Sequence, residues 1–138
     1  MIRLNMVKGS CNCNAVQFEI SLPITDIYVC HCSICRKTSG GNGVSVAVVN
    51  NKHFAWLSGT DKVKTWCKPD HDWVCSFCTL CGSNLPGKND DQRMYVPVGL
   101  IANDDLVGAK VVHHMWVSSK ANWDEIGDQG QQHDGFID

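Results

Sequence analysis

Nine cysteines punctuate this chain of 138 residues, and seven of them stand at spacings that can hold metal ions. They form three groups: Cys11-Asn-Cys13, Cys30-His-Cys32-Ser-Ile-Cys35, and Cys78-Thr-Leu-Cys81 followed by Gly82. Cys67 and Cys75 stand apart. The first and last groups hold two cysteines each and together make a closed four-thiolate zinc site. The middle group holds three, which leaves a tetrahedral zinc one open position. A closed site is structural, and an open one can do chemistry.

For Cys11 and Cys13 an extended backbone would point both thiols to one side, because residues i and i+2 share a face of a strand. Cys78-x-x-Cys81-Gly82 has the spacing of a zinc knuckle, and the glycine permits its tight turn. Pairing the two groups ties the first strand to a late hairpin, and structural zinc of this kind contributes on the order of 10 kcal/mol to folding. Free cysteines are often buried simply as small apolar residues. Three spaced groups in one chain favour metal.

Cys30, Cys32 and Cys35 are the candidates for a reactive zinc. Three thiolates leave the site formally at −1, a soft, electron-rich environment suited to binding and activating a thiolate. Arg36 and Lys37 follow directly and are candidates to balance the added charge of a substrate; an unpartnered surface position for Arg36 is the alternative. Cys67, Cys75 or a histidine could instead close this site. Cys75 also precedes Cys78 at CxxC spacing, but Gly82 favours Cys78 with Cys81, and alternation puts Cys75 on one face with Phe77. The run Gly40-Gly41-Asn42-Gly43 could let backbone approach a ligand or be only a turn. His31, between two candidate ligands, points away from them; His113 and His114 fall on opposite faces of a late strand; His53, His71 and His133 lie in turns or the tail.

Bulk properties narrow the class. The length fits one domain spanning 1–138 with a real core. Composition is globular, 43% apolar and 19% charged, and a net charge of −2 argues against a nucleic-acid footprint. The start of the chain has no apolar stretch of signal-peptide length, and the longest apolar run, Val44 to Val49, is far too short to span a membrane. The chain is expected to be cytoplasmic, where dense cysteine spacing means metal rather than disulfides.

The elements that must carry these cysteines are mostly strands. Val16, Phe18 and Ile20 alternate with polar residues, predicting a half-buried strand just after Cys13. Ile27 to Cys32 is a second extended segment, Ser33 to Thr38 a short helical turn, and Val44 to Val49 a buried strand. Phe54 to Leu57, Lys62 to Trp66, Trp73 to Phe77, Met94 to Val98 and Val111 to Val117 complete the set. Lys120 to Ile126 is at best weakly helical, and 127–138 is a polar tail. The expected class is mainly β.

Three motifs together are specific. Gly9-Ser-Cys-Asn-Cys-Asn-Ala-Val16, Cys30-His-Cys-Ser-Ile-Cys-Arg-Lys-Thr-Ser-Gly40 and Phe77-Cys-Thr-Leu-Cys-Gly-Ser-Asn-Leu85 resemble the glutathione-dependent formaldehyde-activating enzyme family, which also includes centromere protein V. The resemblance runs from about residue 9 to 126. It implies an Mss4-like fold of small antiparallel sheets organised around zinc sites. It also implies about two zinc ions per chain: a structural one on Cys11, Cys13, Cys78 and Cys81, and a reactive one on Cys30, Cys32 and Cys35. The implied activity is a carbon–sulfur lyase that joins glutathione and formaldehyde, with the thiol at the open zinc position. A non-catalytic zinc module that binds a thiol or a protein partner is the alternative. Asn14 stands where the family commonly has Gly, and Asn tolerates the same left-handed backbone.

Overall fold

The computed structural model describes residues 6–137. In chain order the elements are β1 (Val7–Ser10), β2 (Gln17–Ile20), β3 (Asp26–Cys30), the helix α1 (Ser33–Ser39), β4 (Val44–Asn50), β5 (Phe54–Ser58) and β6 (Val63–Cys67). β7 (Val74–Cys78), β8 (Asn84–Leu85), β9 (Gly87–Lys88), β10 (Arg93–Pro97), β11 (Lys110–Met115) and β12 (Gln131–Gln132) follow. Among the described residues no helix is long and apolar enough to cross a membrane.

The strands assemble into three sheets ordered β1-β2-β5, β12-β11-β3-β4-β10-β9 and β6-β7-β8. The two small sheets are antiparallel. The six-stranded sheet is mixed, because β11 runs parallel to both β3 and β12. This modifies the expectation of antiparallel sheets throughout. β3 already pairs antiparallel with β4 on one side. Its other side is filled by a strand that arrives after a long crossover, and such a connection permits parallel pairing.

Burial follows the alternation of apolar residues. On β2, Phe18 and Ile20 are fully buried while Gln17 is exposed. They meet Val7 of β1, Ala47 and Val49 of β4 and Val96 of β10 in the principal core. β4 is not buried on both faces as its β-branched run suggested. Ala47 and Val49 point into the core, whereas Val44 and Val46 on the opposite face remain half-buried. Cys11, Val16, Cys78 and Leu85 form a second buried cluster.

Local differences from the sequence reading have local causes. β2 begins only at Gln17, because residues 11–16 turn back on themselves, with Cys11 N–H donating to the Val16 carbonyl at 3.1 Å. β3 ends at Cys30, and Cys32 caps α1 instead of extending the strand. β1, β8, β9 and β12 are too short or too polar to show a period. Residues 120–126 contain no helix.

Candidate metal centres

The sulfurs of Cys11, Cys13, Cys78 and Cys81 all lie within 4.8 Å of one another. Cys11 and Cys13 are brought together by a turn rather than by strand alternation: Asn14 N–H donates to the Cys11 carbonyl at 3.1 Å, with Asn14 at φ 64°. Their sulfurs stand 3.6 Å apart, and Cys13 lies 3.9 Å from Cys78, 65 positions away in the chain. A metal bound tetrahedrally at about 2.3 Å from each thiolate requires sulfur–sulfur edges of about 3.8 Å. The spacing therefore suits a shared ion, whereas a disulfide would need about 2.05 Å. All nine cysteines are free.

Backbone and hydroxyl groups hold this cluster in place. Gly82 N–H donates to the Cys78 carbonyl at 2.8 Å, in a turn that takes Gly82 to φ 78°, where a side chain is strained. Val16 N–H donates to Cys11 Sγ at 3.4 Å. Ser83 Oγ lies 3.2 Å from Cys81 Sγ and accepts from Asn12 N–H at 3.0 Å. The Ser83 hydroxyl is the main reason the Cys81 thiol is drawn down to about 5. Such hydrogen bonds to sulfur favour the thiolate that a metal needs.

The second group gathers Cys30, Cys32 and Cys35, again with all sulfurs within 4.8 Å, and it contains no fourth residue among those described. Cys30 ends β3, Cys32 is the N-cap of α1, and Cys35 lies in the helix's first turn with its N–H donating to Cys32 Sγ at 3.4 Å. β4 closes against this corner. Gly43, at φ 152°, packs so near that a Cβ there would come 2.4 Å from the Cys30 carbonyl oxygen. The glycine run thus brings backbone to backbone, and of its flanks only Thr38 and Val44 reach the space in front of the sulfurs. The hydrogen bond from Cys35 draws the Cys30 thiol down to about 6, and the same pairing pushes Cys35 up. Three thiols this close cannot all ionise unless a cation joins them, so the donor set fits a metal.

In front of the three sulfurs opens a cleft of about 670 Å³. α1 contributes Ile34, β4 contributes Val44 and Val46, and Trp73, Met115, Trp116 and Phe136 add further apolar wall, with polar residues such as Asn84 and Lys88 also in the lining. Cys75 also faces this cleft, with Asn84 Oδ1 accepting from its thiol at 3.8 Å, and burial pushes its pKa up. It joins neither sulfur group, and neither does Cys67, which is exposed at the end of β6. Arg36 does not line the cleft; its Nε is buried without a hydrogen-bond partner among the described residues. Lys37 is exposed beside a neighbouring groove.

Behind the sulfurs runs a polar chain that spacing alone did not reveal. His31 does point away from Cys30 and Cys32, as alternation requires, and is only 1% exposed. Its Nε2 meets His114 Nδ1 at 2.8 Å, and His114 Nε2 reaches Asp128 at 2.8 and 3.0 Å. On the other side His31 Nδ1 stands 3.6 Å from Asp124, which accepts from Asn42 Nδ2 at 3.2 Å. Burial, with His114 alongside, lowers the His31 pKa. Neighbouring His113 stacks on Tyr28 and meets His133 at 2.9 Å. The parallel β3–β11 pairing, with a bulge between Val111 and His113, creates both contacts. Their one sequence signal is a histidine locked between two candidate ligands.

Comparison with known proteins identifies the family and the fold. The family model described as glutathione-dependent formaldehyde-activating enzyme matches residues 6–119. A protein of Halomonas elongata, provisionally named a glutathione-dependent formaldehyde-activating enzyme, is 28% identical over 133 residues, covering 91% of this chain and 84% of its own length. A crystal structure of a Rhodobacter sphaeroides protein superposes with a TM-score of 0.56 at 23% identity, over 67% of this chain and 85% of that one, and shares the fold.

Proposed function

Because the chain belongs to the glutathione-dependent formaldehyde-activating enzyme family, we propose that it is a zinc-dependent enzyme of the carbon–sulfur lyase type acting on a thiol–aldehyde adduct. Cys30, Cys32 and Cys35 form the reactive centre; Cys11, Cys13, Cys78 and Cys81 form the structural one. The observation that carries this reading is a group of three sulfurs, without a fourth ligand among the described residues, at the wall of a cleft large enough for a small molecule. A zinc held by three thiolates supplies an open position at which a substrate sulfur stays ionised at neutral pH.

The chain's own residues fix the geometry. The end of β3 and the first turn of α1 set the three sulfurs facing the cleft, while Gly43 and the His31–His114–Asp128 chain lock that corner from behind. In the forward direction the substrate thiolate attacks the aldehyde carbon, the C–S bond forms as the C=O π bond opens, and the resulting alkoxide oxygen takes a proton from solvent; the reverse step returns that proton, restores the C=O bond and breaks the C–S bond. Neither Arg36 nor Lys37 of α1 lines the cleft, so neither is assigned a role at that oxygen.

The test is the exchange rate between formaldehyde and its hemithioacetal, followed by NMR for glutathione, 2-mercaptoethanol and propanethiol, with and without the zinc-loaded protein. Acceleration that is lost in Cys35→Ser is expected. Rates equal to the uncatalysed ones for all three thiols would overturn the enzymatic reading and leave a thiol-binding zinc module.

A further inference from the structure

The cleft beside Cys30, Cys32 and Cys35 differs sharply from a site for a multiply charged peptide. Its wall is built from Val44, Val46, Trp73, Met115, Trp116 and Phe136, and Trp116 meets Phe136 edge-on at a centroid distance of 5.2 Å. Its ionisable residues, apart from cysteines, are His71, Asp72, Lys88 and Tyr95. Lys88 Nζ is already paired with Asp91 at 3.0 Å, and the Tyr95 hydroxyl donates to the Val74 carbonyl at 2.9 Å. Glutathione carries two carboxylates and one ammonium. The cations that line it, Lys88 and His71, are exposed and accompanied by Asp72, so glutathione's carboxylates would find only solvent-screened partners, which offset little of the cost of desolvating them. Lys37 and Lys68 belong to a second groove of about 690 Å³, which adjoins the first and shares Ser33, Ile34, Thr38, His71, Trp73 and Cys75 with it.

Resting on the proposal that a thiol is taken up at the open position beside these cysteines, we infer that the substrate thiol carries an apolar alkyl or aryl body. Its sulfur reaches the three-cysteine centre while its body lies along the Val46–Met115–Trp116 wall. Apolar contact supplies the affinity that paired charges would supply to glutathione. The aromatic residues favour an aryl or branched body, since ring faces and edges are both presented.

The experiment uses the full chain loaded with cobalt in place of zinc. The sulfur-to-metal absorption is titrated with ethanethiol, propanethiol, butanethiol, benzyl mercaptan and glutathione, with each dissociation constant corrected for the thiol's ionised fraction. Affinity is expected to rise about fourfold for each methylene added to the alkyl series. Benzyl mercaptan is expected to bind roughly tenfold or more tighter than glutathione. A flat alkyl series, or glutathione as the tightest ligand through Lys37 and Lys68, would overturn this inference while leaving thiol binding intact. An unchanged spectrum with every thiol would overturn both this inference and the proposal on which it rests.

Discussion

Removing one cysteine from each sulfur group should have unequal consequences, and the structure sets the difference. Cys78 is fully buried and stands 3.9 Å from Cys13 across 65 positions of chain, so an ion on this group joins the turn after β1 to the β7–β8 hairpin. Cross-linking a loop of that length removes about 4 kcal/mol of unfolded-chain entropy, and this is only part of a structural zinc's contribution of about 10–16 kcal/mol. That contribution matches or exceeds the whole stability of a typical domain, about 5–15 kcal/mol. Cys30, Cys32 and Cys35 lie within one continuous segment and close no long loop. Losing that ion should cost about 1–3 kcal/mol from the buried Cys35 and its partners. Metal content by mass spectrometry and far-ultraviolet thermal melts decide the matter. The parent protein should carry about two zinc ions per chain. Cys78→Ser should be unfolded at 25 °C. Cys35→Ser should hold about one zinc and melt cooperatively only several degrees lower. Equal collapse of the two variants would refute the division into a structural and an open site.

Other perturbations probe the surrounding structure. Gly43→Ala places a methyl group 2.4 Å from the Cys30 carbonyl oxygen, so it should cost about 3 kcal/mol or more in denaturant unfolding and lower zinc retention at the second group. His31 is held neutral by burial, its folded pKa below the unfolded one. The unfolded chain then binds more protons below about pH 6.5, so stability falls as the pH drops through that value. The advantage of the zinc-loaded parent over His31→Gln, measured by urea unfolding, should shrink between pH 7.5 and 5.5; an advantage that grows would show the sign to be wrong. Brief iodoacetamide treatment of the zinc-loaded protein should label Cys67 first, since it is exposed and outside both groups. After limited chelation that strips only the three-cysteine group, Cys30, drawn down to about 6, should join it; peptide mapping that finds Cys30 labelled equally before chelation would argue against metal at the second group.

Much of this protein was legible in its residues because the decisive signals are local. CxC, CxCxxC and CxxCG spacings act over a few bonds, and a thiolate set needs little more than a turn to assemble. The pairing of the first and last groups followed from counting ligands. The alternation of Val16, Phe18 and Ile20 placed a core strand for the same local reason. Even so, the CxC pair converges through a turn at Asn14, so a correct grouping came from an incorrect backbone premise.

What tertiary structure alone decided is everything that depends on distant strands meeting. The parallel pairing of β3 with β11 places His114 against His31, 83 positions away, and no spacing rule encodes a contact across that separation. The same sheet leaves Val44 and Val46 facing a cleft instead of the core, and the return of Trp116 and Phe136 completes its wall. Arg36 follows Cys35 in sequence yet turns off the cleft, because successive helical residues point about 100° apart. Ligand chemistry is written in neighbouring residues and so is determined by the sequence directly. The surface that meets a substrate is assembled from two sheets, the helix and a tail, and its apolar character exists only once the chain has folded.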